Sequence, residues 1–230
     1  MTNNPSQTII DRTLERADVQ ALLSQVRAPL VFVSCNFDGA DLTRLGLHGA
    51  HFTDCSFVEA ALSRATLSES RWVRCKARQA EFELADLTDA DFQSCDLNNT
   101  QWRRAKLASA SFASVKLTGA RLGEVSGLGL TFRESLLIST DLRGLSFRKQ
   151  RLVQLDLSDA DLAGCDFRDT VFEGGSLRNA HLTQARFDGA DLRQVDLGGL
   201  KLPDTSILKG ATISHHQAAE LLSELGLHVA

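Results

Sequence analysis

The residues of this chain that could carry chemistry are its cysteines, histidines and clustered carboxylates. Four of the five cysteines recur every 20 residues, at Cys35, Cys55, Cys75 and Cys95, and the fifth is Cys165. A zinc site usually uses closely spaced pairs of cysteines, but the sequence has no Cys-x-x-Cys pair. Each cysteine instead falls in a column of small residues within a five-residue repeat, described below. The repeat directs this column into the core, where a thiol packs as a small apolar group. The cysteines therefore predict a packing role, and we expect no metal and no cofactor.

The histidines do not form a recognisable catalytic pattern. His48, His51, His181, His215 and His216 are scattered, and no glutamate follows them in a zinc-protease arrangement. Catalysis also needs a concave pocket that excludes water. The repeat described below predicts a coil filled with side chains, and the body of such a solenoid offers no pocket of this kind. We therefore expect a protein that is not an enzyme. A catalytic site would need a cluster of titratable groups at one of the two ends.

Carboxylates are clustered in two bands. The first acid band lies between Arg78 and Arg103, where no basic residue interrupts Glu81, Glu83, Asp86, Asp89, Asp91 and Asp96. The second acid band consists of Asp156, Asp159, Asp161 and Asp166. A single Asp between two inward residues suits a solvated turn, but bands of charge favour a partner with a matching charge pattern.

A five-residue period determines where these side chains point. From Phe32 to Ile207, every residue whose number ends in 2 or 7 is Leu, Phe, Trp or Ile, except Ala77 and Gly127. A small residue, mostly Ala, Cys, Ser or Thr, usually stands two positions earlier. A period of five fits neither a continuous helix nor a continuous strand, so each unit must combine a short extended segment with a turn. Both apolar columns then face inward, and the other positions face water or a partner.

Residues that recur every 20 positions indicate four units in each coil. Four of the cysteines do so, and aromatic residues do so in two ladders. The first ladder consists of Phe32, Phe52, Trp72, Phe92, Phe112, Phe132 and, after Leu152, Phe172, and the second of Phe147, Phe167 and Phe187. Like residues stack well at the spacing of adjacent strands. We therefore predict an all-β fold, a parallel β-helix of about nine four-sided coils at residues 30–210.

Residues 1–29 and 211–230 lie outside the repeat and are expected to cap its ends. Within residues 11–26, Leu14, Val19, Leu22, Leu23 and Val26 have helical spacing. Near the C-terminus, Ser214 and Gln217 fit a capping box and Gly226 fits a helix stop. The helix between them has an apolar stripe that consists of Ala218, Leu221, Leu222 and Leu225.

The repeat is less regular between residues 123 and 155. Gly127 replaces a large inward residue, Gln150 stands in the small column, and Leu145 and Leu155 are oversized for that column. Three large apolar residues lie on outward positions: Leu128, Leu136 and Ile138. They form either an apolar contact patch or a local irregularity of the repeat.

Composition is typical of a folded protein, with 43% hydrophobic and 23% charged residues and a net charge of -4. No apolar run approaches the roughly 20 residues of a membrane helix, and the N-terminus lacks the pattern of a secretory signal. The small net charge demands neither nucleic acid nor a membrane surface as a partner. We therefore expect a cytoplasmic protein without membrane or direct nucleic-acid contacts.

The units ADLTD, ADFQS, CDLNN, ADLAG and ADLRQ resemble the A(D/N)Lxx units of the pentapeptide-repeat family over residues 30–210. This resemblance implies a right-handed quadrilateral β-helix. The C-terminal segment KGATISHHQAAELLSELGLHVA is similar to the end of the Qnr and MfpA type of pentapeptide-repeat protein. In that type, a terminal helix supports a head-to-head dimer, and an acidic surface imitates duplex DNA and engages type II topoisomerases.

The resemblance thus implies that this chain binds DNA gyrase or topoisomerase IV and protects it from quinolones or other gyrase-targeting drugs. It implies contacts from both acid bands, and a homodimer through Ala218, Leu221, Leu222, Leu225 and Leu227. Because duplex DNA carries about one charge per 1.7 Å, a chain with a net charge of -4 can imitate it only locally. The alternative is an interaction scaffold for an unrelated partner that contacts Leu128, Leu136 and Ile138.

Overall fold

The computed structural model describes residues 7–25, 29–200, 205–224 and 226–227. The chain forms two compact units that divide between Thr131 and Phe132. The strands are β1 (Thr8–Ile10), β2 (Val31–Val33), β3 (His51–Thr53), β4 (Arg71–Val73), β5 (Asp91–Gln93), β6 (Ser111–Ala113), β7 (Thr131–Arg133), β8 (Arg151–Val153) and β9 (Val171–Glu173). The helices are α1 (Arg16–Gln25), a 3-10 turn (Thr205–Leu208) and α2 (His215–Glu224). All nine strands are parallel, which confirms the predicted β-helix.

Each coil has four sides, because residues that pair across coils lie 20 positions apart. In the first unit, Phe32 pairs with Phe52, and single bridges join Asp41 to Ala61 on another side. The second unit follows the same spacing, as in the pairing of Leu152 with Phe172. We number the faces by their inward residues: the first face contains residue 32, the second 37, the third 42 and the fourth 47, each with every twentieth residue that follows.

The corners of the coil are tight turns. For example, the amide of Ala40 donates to the carbonyl oxygen of Phe37 at 3.0 Å, and Gly39 between them has a φ of 66°. This geometry is that of a type II turn, which needs a left-handed residue at its third position. Most corners place a non-glycine residue in that conformation, such as Arg64 with a φ of 61°. The polar residues of the repeat thus form the turns, as the period predicts.

The core consists of stacked side chains in register. Phe92 lies on Phe112 with ring centroids 4.8 Å apart and planes within 1°. In the second unit, Phe167 stacks on Phe147 at 5.0 Å and on Phe187 at 4.8 Å. These contacts confirm the predicted ladders within each unit.

Small polar residues in the inward column accept hydrogen bonds from the indole N–H groups of the two buried tryptophans. Trp72 Nε1 donates to Ser70 Oγ at 2.9 Å, and Trp102 Nε1 donates to Thr100 Oγ1 at 2.7 Å. All four residues are fully buried. Since an unpaired buried N–H destabilises a fold, the residue two positions before each tryptophan has to be a hydrogen-bond acceptor.

Two departures from the repeat each bring a leucine close to a glycine. Gly127 leaves space in the large column, and the neighbouring Leu130, in the small column, is buried against it. In the second unit, the backbone of Leu155 lies so close to Gly175 that a side chain there would meet its carbonyl oxygen. At Gly127 and Leu130, the irregular segment therefore preserves a filled core by exchanging a large and a small residue.

The N-terminal cap differs in part from the prediction. Helix α1 begins at Arg16, and its Val19 and Leu22 are buried as expected. Leu14 is also buried, but it precedes the helix and its amide donates to the carbonyl oxygen of Asn36 at 2.9 Å. Strand β1, which pairs in parallel with β2, was not expected from the sequence. Val26 lies outside the described residues.

The C-terminal capping box is confirmed. The amide of Ser214 donates to Gln217 Oε1 at 2.7 Å, and the amide of Gln217 donates to Ser214 Oγ at 3.2 Å. Gln217 Nε2 also donates to the carbonyl oxygens of Leu192 and Val195, at 2.7 and 2.6 Å. The buried side chain of Gln217 therefore caps the start of α2 and also connects α2 to the last coil by two hydrogen bonds.

Candidate functional site

The five cysteines are all free and buried. Those on the corner after the first face donate to carbonyl oxygens, as Cys55 does to Thr53 at 3.3 Å. Burial raises the pKa of Cys165 to about 12, so that its thiol stays protonated. Across the described ranges, no three His, Cys, Asp or Glu side chains are arranged to hold a metal ion. The cysteines therefore pack the wall of the coil.

The first acid band winds around one coil and does not lie on a single face. Glu81 and Glu83 belong to the third face, Asp86 and Asp89 to the fourth, Asp91 to the first and Asp96 to the second. A flat partner can contact only some of these carboxylates at once. The part of the predicted gyrase-contact set that belongs to this band thus lies on one coil, but not on one surface.

Basic residues of adjacent coils pair with half of this band. Arg78 Nε lies 2.6 Å from Asp96, Lys106 Nζ lies 3.2 Å from Asp86, and Arg103 Nε lies 3.7 Å from Glu83. Burial raises the pKa of Asp86, but hydrogen bonds from Thr88 and Lys106 outweigh it and leave the pKa below its ordinary value. These three carboxylates therefore present little net charge to a partner.

The other half of the band keeps its charge. Asp91 accepts hydrogen bonds from Ser111 Oγ at 2.6 Å and Gln93 Nε2 at 2.9 Å, both of which are neutral donors. No ion pair involves Glu81 or Asp89 in the part of the chain that the structure describes. Glu81, Asp89 and Asp91 are thus the carboxylates of this band that a basic partner can neutralise.

Two of these three acids line a groove at the corner between the fourth and first faces. The groove has a volume of about 440 Å³ and is lined by Pro29, Gly49, His51, Glu69, Arg71, Asp89 and Asp91. Glu69 and Arg71 come from the preceding coil, directly beneath Asp89 and Asp91. Reading along the sequence missed them, although adding 20 to their numbers would have placed them in the site.

Basic residues pair with two of the four carboxylates of the second acid band. Arg168 lies 2.6 Å from Asp166, and Arg143 lies 3.5 Å from Asp161. The hydrogen bond from Arg168 lowers the pKa of Asp166 to about 2. Only Asp156 and Asp159 have no basic partner among the residues described, and Asp156 accepts from Ser158 Oγ at 2.6 Å.

The apolar stripe of α2 is only partly covered. Ala218 and Leu221 are half-buried, whereas Leu222 is 37% exposed and Leu227, just after the helix, is 53% exposed. Leu225 lies outside the described residues. The side chains of Leu222 and Leu227 therefore leave apolar surface in contact with water.

The other predicted apolar group is divided between the two units. Leu128 in the first unit is 88% exposed, while Leu136 in the second unit is 39% exposed and Ile138 is half-buried. Leu128 is thus the most exposed large apolar residue in the described part of the chain.

Family models match most of the repeat. A model described as a pentapeptide repeat region matches residues 30–102 and 45–122, and one described as pentapeptide repeats (8 copies) matches residues 131–169 and 160–199. No curated protein matches the sequence. Among the described residues, no helix is long and apolar enough to cross a membrane.

Solved structures of QnrB1 share the fold, and other solved structures also match. A trypsin-treated form of QnrB1, a plasmid-mediated fluoroquinolone resistance protein, matches with a TM-score of 0.55 and 19% identity, over 98% of both chains. Full-length QnrB1 matches with a TM-score of 0.51 and 19% identity, over 96% of this chain and 98% of that one. HetL, a pentapeptide repeat protein from the cyanobacterium Nostoc, matches with a TM-score of 0.41 and 24% identity, over 87% of this chain and 89% of that one.

Proposed function

Because the chain belongs to the pentapeptide-repeat family, we propose that it is a binding protein whose partner is DNA gyrase or topoisomerase IV, and that it protects this partner from quinolones or other gyrase-targeting drugs. The fold that it shares with QnrB1, a fluoroquinolone resistance protein, supports this proposal. The partner's DNA-binding surface is basic, and this chain offers carboxylates to it in place of phosphates.

The observation that carries the proposal is the set of three carboxylates that keep their charge within one coil. Glu81, Asp89 and Asp91 lie on consecutive faces, the third, fourth and first, and no basic side chain of the described chain pairs with them. Imitation of DNA is therefore local and involves this part of the first acid band. Glu83, Asp86 and Asp96 contribute less, because Arg103, Lys106 and Arg78 already neutralise them.

A supercoiling assay with purified gyrase, with and without ciprofloxacin, tests this proposal. Two triple variants remove the same number of charges from the same coil: E81Q/D89N/D91N removes the unpaired acids, and E83Q/D86N/D96N removes the paired ones. We expect wild-type protein and the second variant to inhibit gyrase or protect it from the drug, and the first variant to lose that effect. Equal behaviour of both variants would refute the role of the unpaired acids, and a wild-type protein without effect would refute the partner.

We also propose that the protein is a homodimer through the apolar stripe of α2. Leu222 and Leu227 are the exposed members of this stripe, and burying them in a second copy would remove apolar surface from water. Sedimentation equilibrium of Leu222→Glu should give the mass of a single chain. Leu84→Glu is a matched control, since Leu84 is 38% exposed at a corner of the first unit, and it should remain dimeric.

A second candidate function is a scaffold for an unrelated protein, which the 88% exposure of Leu128 favours. In this case the chain leaves gyrase activity unchanged, and Leu128→Ser breaks the partner complex while E81Q/D89N/D91N does not. The same set of variants therefore distinguishes the two candidates.

A further inference from the structure

The outer side of the first face carries an apolar stripe in the first unit. Ile10, Val33, Thr53 and Val73 stand in register on β1 to β4. Ile10 is 56% exposed, and Val33, Thr53 and Val73 are half-buried. Four β-branched side chains in one outward column give this sheet surface an apolar character that the alternation of the repeat does not require.

The groove with Glu69, Asp89 and Asp91 runs directly beside this stripe. Arg71 lies two residues before Val73 on the same strand, and Glu69 lies two residues before Arg71, so the charged columns run parallel to the apolar one. Three carboxylates face one guanidinium in the groove, which leaves an excess of negative charge. The surface thus joins an apolar column to an acidic flank.

Along each column, the distance from one coil to the next matches the rise of three or four residues of an α-helix. Adjacent strands lie about 4.8 Å apart, and three or four residues of a helix rise about 4.5 or 6 Å. A helix that crosses the strands can therefore place one residue of its apolar stripe over each coil. A partner strand would need a free sheet edge, but β2 to β5 are paired on both sides.

We infer that this face of the first unit, from Val33 to Asp91, is a docking surface for a basic amphipathic helix of a protein partner. The apolar side of that helix covers Val33, Thr53 and Val73, and its Lys or Arg side chains enter the groove beside Glu69 and Asp89. The inference rests on the proposed function in taking the partner to be a protein that contacts Asp89 and Asp91. It adds Glu69, which lies outside the first acid band, and the apolar stripe, which does not imitate a phosphate backbone.

Fluorescence anisotropy with the full chain tests this surface. The probe is a fluorescein-labelled 15-residue helical peptide with Leu at every third or fourth position and Lys on one flank. The matched peptide controls have the same composition in scrambled order, or Glu in place of Lys. We expect saturable, salt-sensitive binding of the first peptide, with at least tenfold weaker binding of both controls.

Variants of the chain locate the binding. E69Q/D89N and V33T/V73T, which preserve side-chain size, should each weaken peptide binding by about five- to tenfold. E59Q, which changes an exposed carboxylate at the end of the second face, outside the surface, should bind as the wild type does. Unchanged circular dichroism and tryptophan fluorescence verify that each variant is folded. Equal binding of the scrambled peptide, or wild-type affinity of both double variants, would overturn the inference.

The gyrase assay separates this inference from the proposed function. If the chain binds the peptide in the expected pattern but leaves gyrase unaffected, the docking surface stands and the proposed partner is wrong. If E69Q/D89N and V33T/V73T still act on gyrase as the wild type does, the proposed partner stands and the docking surface is wrong.

Discussion

The exchange between Gly127 and Leu130 gives a quantitative test of how the core is filled. A Cβ placed on Gly127 would lie 3.1 Å from Leu130 Cδ2 and 3.3 Å from Leu130 Cβ. Leu130 is 3% exposed, so its side chain occupies the space that a large residue fills at the equivalent position of other units. Restoring the regular pattern therefore requires two changes, Gly127→Leu and Leu130→Ala.

Each single change should destabilise the first unit. Leu130→Ala leaves a cavity beside Gly127 and should lower the free energy of unfolding by about 3 kcal/mol. Gly127→Leu overpacks the same space and should lower it by about 2 kcal/mol. The double variant refills the cavity from the other side and should lie within about 2 kcal/mol of the wild type, a coupling of about 3 kcal/mol.

Urea unfolding followed by tryptophan fluorescence measures these values. Both reporters, Trp72 and Trp102, are fully buried and belong to the same unit as the substitutions. A double variant whose destabilisation equals the sum of the two single variants would show that Leu130 does not occupy the space left at Gly127. Our account of the irregular segment would then be wrong.

Three further predictions concern single residues. Ser70→Ala should lower the free energy of unfolding by about 1–2 kcal/mol in the wild type but have little effect in Trp72→Phe, because only the indole needs the hydroxyl acceptor; urea unfolding measures both. Gly175→Ala should lower the thermal midpoint, with a cost of about 2–3 kcal/mol that Leu155→Ala does not relieve, because the new Cβ would collide with the backbone carbonyl of Leu155. Asp166→Asn should cost about 1–2 kcal/mol at pH 7 and almost nothing below pH 2. The lowered pKa of Asp166, about 2, stabilises the fold above the unfolded value near 4, and this contribution disappears as the pH falls through 2. A pH-independent loss in Asp166→Asn would contradict the last of these.

The fold could be predicted from the sequence because a large apolar residue recurs every five positions and faces the core in nearly every unit. Phe92 and Phe112 stack because both face the core on adjacent coils, and the capping box at Ser214 is a local pattern. Strand β1 could not be predicted, because the helix between it and β2 breaks the 20-residue spacing: Ile9 pairs with Phe32.

The site was harder to predict, because its interactions connect coils and not neighbours in sequence. The ion pair of Lys106 with Asp86 joins residues 20 positions apart, and that of Arg78 with Asp96 joins residues 18 apart. The first acid band therefore has six carboxylates in the sequence, but only three of them have no ion-pair partner in the structure. For the same reason, Glu69 is part of the groove although it lies outside the band.

The four-sided coil also determines what insertions and deletions would do to this protein. Removing five residues anywhere between residues 40 and 120 would preserve the inward columns, but every later residue of the first unit would move to the neighbouring face. Removing 20 residues would delete one coil and return each remaining residue to its own face, since the pairing repeats every 20 positions. The core therefore tolerates changes in length by fives, whereas a binding surface such as the groove tolerates only multiples of 20. Lineages that gain or lose single units would thus keep the solenoid and change partners, and those that duplicate whole coils would lengthen an existing surface.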